Sequence, residues 1–413
     1  MTFPNDRAGD TRAYDLIVYG ATSFVGQIVC AHLKNRLAGT GITWAIAGRN
    51  PTKLDDLDDE LGLNVDHFVA DATDGEALGR LVASTRVVMS TVGPYALYGS
   101  ALVAKAVEAG TDYCDLTGEP HWMQQMIDTH HDDATRSGAR IIHACGFDSI
   151  PSDLGVAYTQ RLALELLAEH CHQISMRVKV MKGGASGGTV ASMLNIVEEA
   201  KDNPDIRRIL TNPYALAPQG MRTGVRQHNV TVPMRDEASD RWVAPFVMAT
   251  VNTRIVHRSH ALVGRPWGID FLYDEAMLTG SGPLGAAKAG AVSGGLGAFM
   301  AATSVDPIRK VLATKVLPKP GEGPTPAEQE AGLFDLRFYG TTESGATITT
   351  KVTGDRDPGY GSTAKMITEA ALTLLDADPA DTPGGFWTPA TALGQALENA
   401  LIEHAGLTFS IVD

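Results

Sequence analysis

Between Tyr14 and Cys145, short apolar runs and stretches of helical spacing take turns along the chain. The runs are YDLIVY (14–19), ITWAIA (42–47), VDHFVA (65–70), RVVMSTV (86–92), DYCDL (112–116) and RIIHAC (140–145). Helical spacing fills 24–38, 74–84, 99–109 and 120–137, and Gly39, Gly110 and Gly138 fall where helix C-caps belong. Parallel strands cannot be joined by a tight turn; each pair needs a crossover, usually a helix. Six strands alternating with helices therefore predict an α/β fold built on a doubly wound parallel sheet.

After Ser149 the texture changes. A helix begins near Pro151, and an alternating run, ISMRVKV (174–180), leads into GGASGGT and a helix from about Val190. Polar and proline-containing stretches occupy 212–241, and a turn-rich linker, LPKPGEGPTP, spans 317–326. Runs at 268–273, 333–339 and 346–352 carry the alternation or β-branching of half-buried strands. These features predict a second domain with a mixed sheet. From Asp357 the chain reads helix, GGFW turn, helix, then the strand-like LTFSIV.

The chain has 413 residues, and its formal charge of −14 works against a nucleic-acid partner. Cys30, Cys114, Cys145 and Cys171 show no CxxC spacing and sit in apolar surroundings, as buried thiols of a reducing compartment do. Residues 1–13 lack an apolar core and read as a disordered leader, not a secretory signal. The nearest approach to a membrane span, 289–305, is rich in Gly and Ala and is interrupted upstream by Lys288. A cytoplasmic location is expected, with a membrane-surface contact through 281–303 or a close-packed buried helix pair as the two readings of that segment. The twelve histidines form no metal-ligand pattern, so no metal is expected.

The stretch VYGATSFVG places Gly20, Ala21, Thr22, Ser23, Phe24, Val25 and Gly26 at the first strand–helix turn. Its spacing is that of a dinucleotide turn, with serine at the middle glycine position. The first glycine permits the turn, the last permits close helix–strand packing, and a pyrophosphate would lie over the amides opening the helix. An NAD site would end the second strand in a carboxylate; this one ends Gly48-Arg49-Asn50, with Lys53 following. A guanidinium there matches the 2′-phosphate of NADP(H). Asp71, closing the third strand, would bond the adenine amine or cap the next turn.

Ligands of such sheets bind beyond the strands' carboxyl ends. Those ends carry Gly93 and Pro94, whose turn would let backbone approach the nicotinamide, followed by Tyr95 and Tyr98 as proton donors. Glu119 and Asp148 would orient substrate, although Asp148, Ser152 and Asp153 also suit the capping of the helix at Pro151.

YGATSFVG, AGRN, TVGPYALYG, DYCDLTGE, HACGFDSIPSDLG, KGGASGGT, DPGYGSTAKMITEAALTLL and GGFWTPA together resemble the saccharopine dehydrogenase-like family along nearly the whole chain. Within it they resemble the mycobacterial trans-acting enoyl reductases. The resemblance implies a Rossmann-type domain of residues 14–150 completed by 357–413, with 151–356 inserted as a mixed α/β substrate and dimerisation domain. It implies NADPH-dependent reduction of an enoyl thioester carried by a polyketide synthase, in cell-envelope glycolipid assembly at the plasma membrane. Hydride would pass to the β-carbon, and the resulting enolate would need hydrogen-bond donors and a proton at Cα. Two alternatives stand beside it. A saccharopine-type amino-acid dehydrogenase would need converging cations, for which Arg177, Lys179 and Lys182 are the candidates. A non-catalytic lipid-surface protein would keep the fold as scaffold.

Overall fold

The computed structural model describes residues 11–183, 187–303, 305, 307, 309 and 323–412, with the backbone alone for 187–190. Most of the 1–13 leader, most of the 317–326 linker and the side chains of the SGGT stretch lie outside the described residues.

Each of the six apolar runs holds a strand: β1 (Tyr14–Tyr19), β2 (Trp44–Gly48), β3 (Asp66–Val69), β4 (Thr85–Ser90), β5 (Asp112–Asp115) and β6 (Arg140–Ile142). The helices between them are α1 (Phe24–Arg36), α2 (Pro51–Leu61), α3 (Gly75–Ala83), α4 (Tyr95–Tyr98), α5 (Ser100–Ala109) and α6 (Pro120–Ser137). α2 has no counterpart in the helical spacing read from sequence. It buries only Leu54 and Leu57, a stripe too narrow to register as a pattern, and is defined instead by its ends. Asn50 Oδ1 accepts from the Lys53 amide, Pro51 opens the helix, and Gly62 closes it in the left-handed conformation. The strands pair in parallel in the order β6-β5-β4-β1-β2-β3, the order of a doubly wound nucleotide-binding sheet.

α7 (Ile150–Leu167) carries the chain to a second sheet of β7 (Cys171–Lys182), β8 (Met234–Asp236), β9 (Arg241–Pro245), β10 (Leu272–Gly280), β11 (Leu333–Thr342) and β12 (Thr347–Gly354). Neighbours in this sheet run antiparallel except β7 and β10. β10 starts later than the 268–273 run suggests, because Gly264, Arg265 and Gly268 all take positive φ and His260 Nε2 pairs with the Gly268 carbonyl, holding a turn there. Between the strands lie α8 (Gly187–Asp202), α9 (Pro204–Thr211), α10 (Ala249–Leu262) and α11 (Gly282–Thr303). α11 is a single helix, largely exposed, that buries only Gly285, Ala289 and Thr303, so segment 281–303 is not a buried helix pair. Among the described residues, no helix is long and apolar enough to cross a membrane.

The last part of the chain divides between the two sheets. β13 (Gly385–Trp387) adds to β6 in parallel, making the first sheet seven-stranded, and the Thr363–Asp376 helix packs on β4 and β5. Arg36 on α1 grips Glu369 of that helix bidentately at 2.9 and 3.3 Å, and buried Arg140 donates to the Leu374 and Ala377 carbonyls. β14 (Leu407–Ile411) instead joins β12 at the edge of the second sheet. One apolar core runs through both sheets; Phe147 meets Phe334 edge-on across the junction at 5.0 Å.

Candidate active site

The turn after β1 is shaped by close approach. At Gly20, φ is +91°, and a Cβ would stand 2.6 Å from Val92 Cγ2. At Gly26 a Cβ would stand 2.2 Å from the Gly20 carbonyl oxygen, so any side chain would push α1 off the strand. Ser23 is the N-cap: its Oγ accepts from the Gly26 amide at 2.9 Å and shares a 2.9 Å hydrogen bond with Thr91 Oγ1. Ala21 is buried behind the turn, with its amide bonded to the Ala47 carbonyl, while Thr22 sits beside Gly48. Phe24 and Val25 open the helix facing the space beyond the sheet, and the Phe24 ring meets Tyr360 edge-on at 4.6 Å.

Arg49 and Asn50 lie exposed just past β2. Asn50 caps α2. Asp71 accepts from both the amide and the hydroxyl of Thr73, at 3.0 and 2.7 Å. These bonds, with the charge of Arg49 nearby, hold its carboxyl below the usual range. Tyr19 is pushed up to about 12, chiefly by burial, with Asp71 raising and Arg49 lowering it. A guanidinium with no hydrogen bond among the described residues and a turn-capping carboxylate thus face the same end of the sheet.

Beyond the carboxyl ends of β1, β4 and β5 lies a cavity of about 620 Å³. Ser23, Phe24, Thr91, Gly93, Leu116, Gly118, Phe147 and Asp148 line it from the first sheet. α8 contributes Met193, Ile196 and Val197, the β9–α10 turn contributes Phe246 to Val251, and α11 contributes Ser293, Leu296, Gly297 and Met300. Of these walls only α11, from segment 281–303, is anticipated in the sequence, as a lipid contact. The 293, 296, 297, 300 spacing is the helical signal of its cavity-lining face. Among the described lining residues there is no Lys, Arg or His, and Asp148 is the sole carboxylate.

The Gly93–Pro94 peptide bond is cis, and Gly93 borders the cavity. Tyr95, 4% exposed, directs its hydroxyl inward: it donates to the Ser90 carbonyl at 3.0 Å and accepts from the Leu116 amide at 3.1 Å. The hydroxyl proton and one lone pair are thus taken by main chain. Tyr98 is 41% exposed and does not line the cavity. Glu119 is fully buried and accepts from the Tyr95 and Ala96 amides, both at 2.9 Å, and from Ser192 Oγ at 2.7 Å, capping α4 and tying α8 to it.

Asp148 is different. Its loop is fixed by main chain: the Phe147 amide donates to Thr363 Oγ1 at 3.0 Å, the Ile150 amide to the Gly146 carbonyl at 2.9 Å, and Ser149 Oγ to the Asp148 carbonyl at 2.7 Å. No side chain caps α7, and Asp153 instead accepts from Ser259 and the Ala390 amide. The Asp148 carboxyl makes no hydrogen bond among the described residues and faces the cavity, where burial raises its pKa to about 6. It is a carboxylic acid held near neutrality in an apolar space, the condition for general-acid work.

The cations suggested for an amino-acid substrate lie elsewhere. Arg177 is buried inside the second sheet, paired with Asp236 at 2.6 Å and Asp274 at 2.7 Å, while Lys179 pairs with Asp335 at 3.6 Å and Lys182 is exposed at the end of β7.

No family model matches the chain. It is similar over 399 residues, at 40% identity and 94% coverage of both chains, to a Mycobacterium tuberculosis protein named as a trans-acting enoyl reductase. A trans-acting enoyl reductase of Mycobacterium bovis is 37% identical over 401 residues, covering 94% of this chain and 95% of its own. Among solved structures, saccharopine dehydrogenase (L-Glu forming) from Saccharomyces cerevisiae superposes with a TM-score of 0.54 at 14% identity, covering 97% of this chain and 100% of the other. Homospermidine synthase from Legionella pneumophila, in complex with NAD, gives 0.52 at 9% identity, covering 97% and 91%. At such identities these two neighbours establish the α/β fold alone. At 37–40% identity over nearly its whole length, this chain belongs to the trans-acting enoyl reductase family.

Proposed function

We propose that this protein is an NADPH-dependent reductase of a carrier-bound α,β-unsaturated acyl or polyketide thioester, in cell-envelope lipid or glycolipid assembly. The observation that carries the reading is the Asp148 carboxyl, the one charged group among the described lining residues of a cavity at the carboxyl edge of the first sheet. The names of its relatives support the same chemistry.

The residues present fit a nicotinamide dinucleotide. Gly20 and Gly26 leave no side chain over the turn, and Phe24 and Val25 open α1 toward the cavity. Gly93 offers bare backbone at the inner end, and Arg49, exposed just past β2, would meet a 2′-phosphate. When bound, the cofactor supplies hydride to the substrate's β-carbon. The protein's part is to hold the acyl chain against the apolar walls of α8, α10 and α11, exclude water, and deliver a proton to Cα from Asp148. An acyl chain that fills the cavity removes further water from around Asp148 and favours its protonated form. Asp148 takes the donor role in place of Tyr95, whose hydroxyl is held by Ser90 and Leu116.

A dicarboxylic amino-acid substrate would enter a cavity whose described lining has no cation and one carboxylate, an unfavourable pairing. The test is turnover of NADPH with a 2-enoyl pantetheine thioester and, separately, with an α-keto acid plus amine. Equal amounts of oxidised cofactor and saturated thioester are expected in the first assay. Turnover confined to the second would replace this reading with the amino-acid dehydrogenase.

A further inference from the structure

In a chain of net charge −14, residues 201–228 carry five basic side chains against two carboxylates. The partners of the arginines in and around this segment matter more than their number. Arg207 donates to the Ala200 and Lys201 carbonyls at 2.7 and 2.9 Å, and Arg222 to those of Ala217 and Ala215 at 3.1 and 3.0 Å. From α10 beneath, Arg254 donates to the Ile209 and Leu210 carbonyls, and Arg258 to those of Leu216 and Phe386. Arg265 donates to the Gly220 carbonyl at 3.2 Å. A carbonyl satisfies a guanidinium's hydrogen bonds without cancelling its charge, whereas a carboxylate does both. Only Arg208 in this group has a carboxylate, Asp205 at 2.9 Å, and Arg226 is exposed with no partner among the described residues.

Burial lowers the pKa of Arg254 and Arg258 to about 10, with no charge offsetting it at Arg254 and Asp128 offsetting it only in part at Arg258. The segment therefore holds uncompensated positive charge in an acidic protein. It also borders the cavity, since Leu210 and residues 229–231 line it. The field of such a patch attracts an anion and orients it at the mouth.

We infer that segment 204–228, backed by the α10 arginines, is the docking surface for an acidic carrier domain. Arg226 and Arg207 would meet the carrier and the phosphodiester of its pantetheine arm while the arm threads its thioester into the cavity. This rests on the carrier-bound reading above. The described lining of the cavity is apolar with one carboxyl and no cation, a poor seat for a phosphodiester, which places the charge recognition on the flanking arginines.

The experiment uses the full chain and crotonyl-loaded holo carrier domain. Binding is read by fluorescence anisotropy at low and moderate salt, and turnover is compared with crotonyl-N-acetylcysteamine, which has neither phosphate nor carrier. Arg226→Glu, and Arg207→Ala combined with it, should weaken carrier binding at least tenfold and flatten its salt dependence. Turnover of the short thioester should stay within twofold of wild type, which also shows that the variants fold. Arg80→Glu on α3, outside the cavity, should change neither. Carrier binding unchanged by the reversals would overturn the docking surface. So would loss of binding to phosphatidylglycerol vesicles with carrier binding intact, which would assign the patch to a lipid surface. Failure of wild type to reduce the short thioester would instead overturn the enoyl reductase reading, whatever the carrier does.

Discussion

Asp148 joins two properties that rarely coincide on one side chain: a fixed main chain and a carboxyl with no partner among the described residues. As the proton donor it must be protonated, so turnover should fall as pH rises through its pKa, about 6 in the free protein and higher with substrate bound. Asp148→Asn keeps the shape and removes the proton. It should cut kcat about a hundredfold or more and abolish that limb of the pH profile, with NADPH affinity unchanged by titration. An asparagine variant with wild-type kcat and profile would move the donor elsewhere. Arg49 poses the corresponding question for the cofactor. Arg49→Ala should weaken NADPH binding by about 1.5–3 kcal/mol, the range for a charged hydrogen bond, and leave NADH nearly unchanged. Equal losses for both would remove the 2′-phosphate role.

Elements decide how much of the site can be read in advance. The turn residues Gly20 to Gly26 were legible because their constraint is local: a glycine that must admit a neighbouring backbone has few substitutes. Tyr95 was legible as a residue but not in its role. Sequence placed it after the Gly93–Pro94 turn, whereas only the packed structure shows its hydroxyl spent on the Ser90 and Leu116 main chain. The cavity walls from α8 and α10 depend on how the second sheet closes over the first, which no local spacing encodes. α11 illustrates the gap: its composition suggested either lipid contact or burial, and the helix instead turns one face to the cavity and leaves the other exposed. Gly297 lies on the cavity face, and a Cβ there would meet nothing within 4 Å. Gly297→Leu should therefore fold, with improved helix propensity, and occupy acyl space. Its kcat/KM for a long-chain enoyl thioester should fall at least tenfold while that for crotonyl thioester holds. Parallel losses for both would show that α11 does not contact the acyl chain.

At the scale of the whole molecule, the second sheet keeps a buried acid. Glu275 on β10 is fully buried, accepting from Tyr273 at 2.7 Å and Asn252 at 2.9 Å, and burial raises its pKa to about 7. Its folded pKa exceeds the unfolded value, so its contribution to stability is complete below about 4.5 and is lost as pH rises through about 7. His257 and His260 act in the opposite sense. Burial holds their pKa values near 3 and 4, so they cost stability as pH falls below about 6.5. Glu275→Gln isolates the first effect: it should raise Tm at pH 8 by more than at pH 5, reflecting on the order of a few kcal/mol at the higher pH. A variant whose Tm shifts equally at both would mean Glu275 does not titrate with folding.

In the proposed reaction one cavity brings hydride from NADPH and a proton from Asp148 to adjacent carbons of an enoyl thioester. Turnover of crotonyl thioester with NADPH deuterated at nicotinamide C4 tests it directly, with the product read by mass spectrometry and NMR. Deuterium is expected at the β-carbon in one stereochemical sense, with a solvent-derived proton at Cα. In deuterated water with ordinary NADPH the labels should exchange places. Deuterium from the cofactor at Cα, or bound NADPH that is never oxidised by any enoyl thioester, would contradict it.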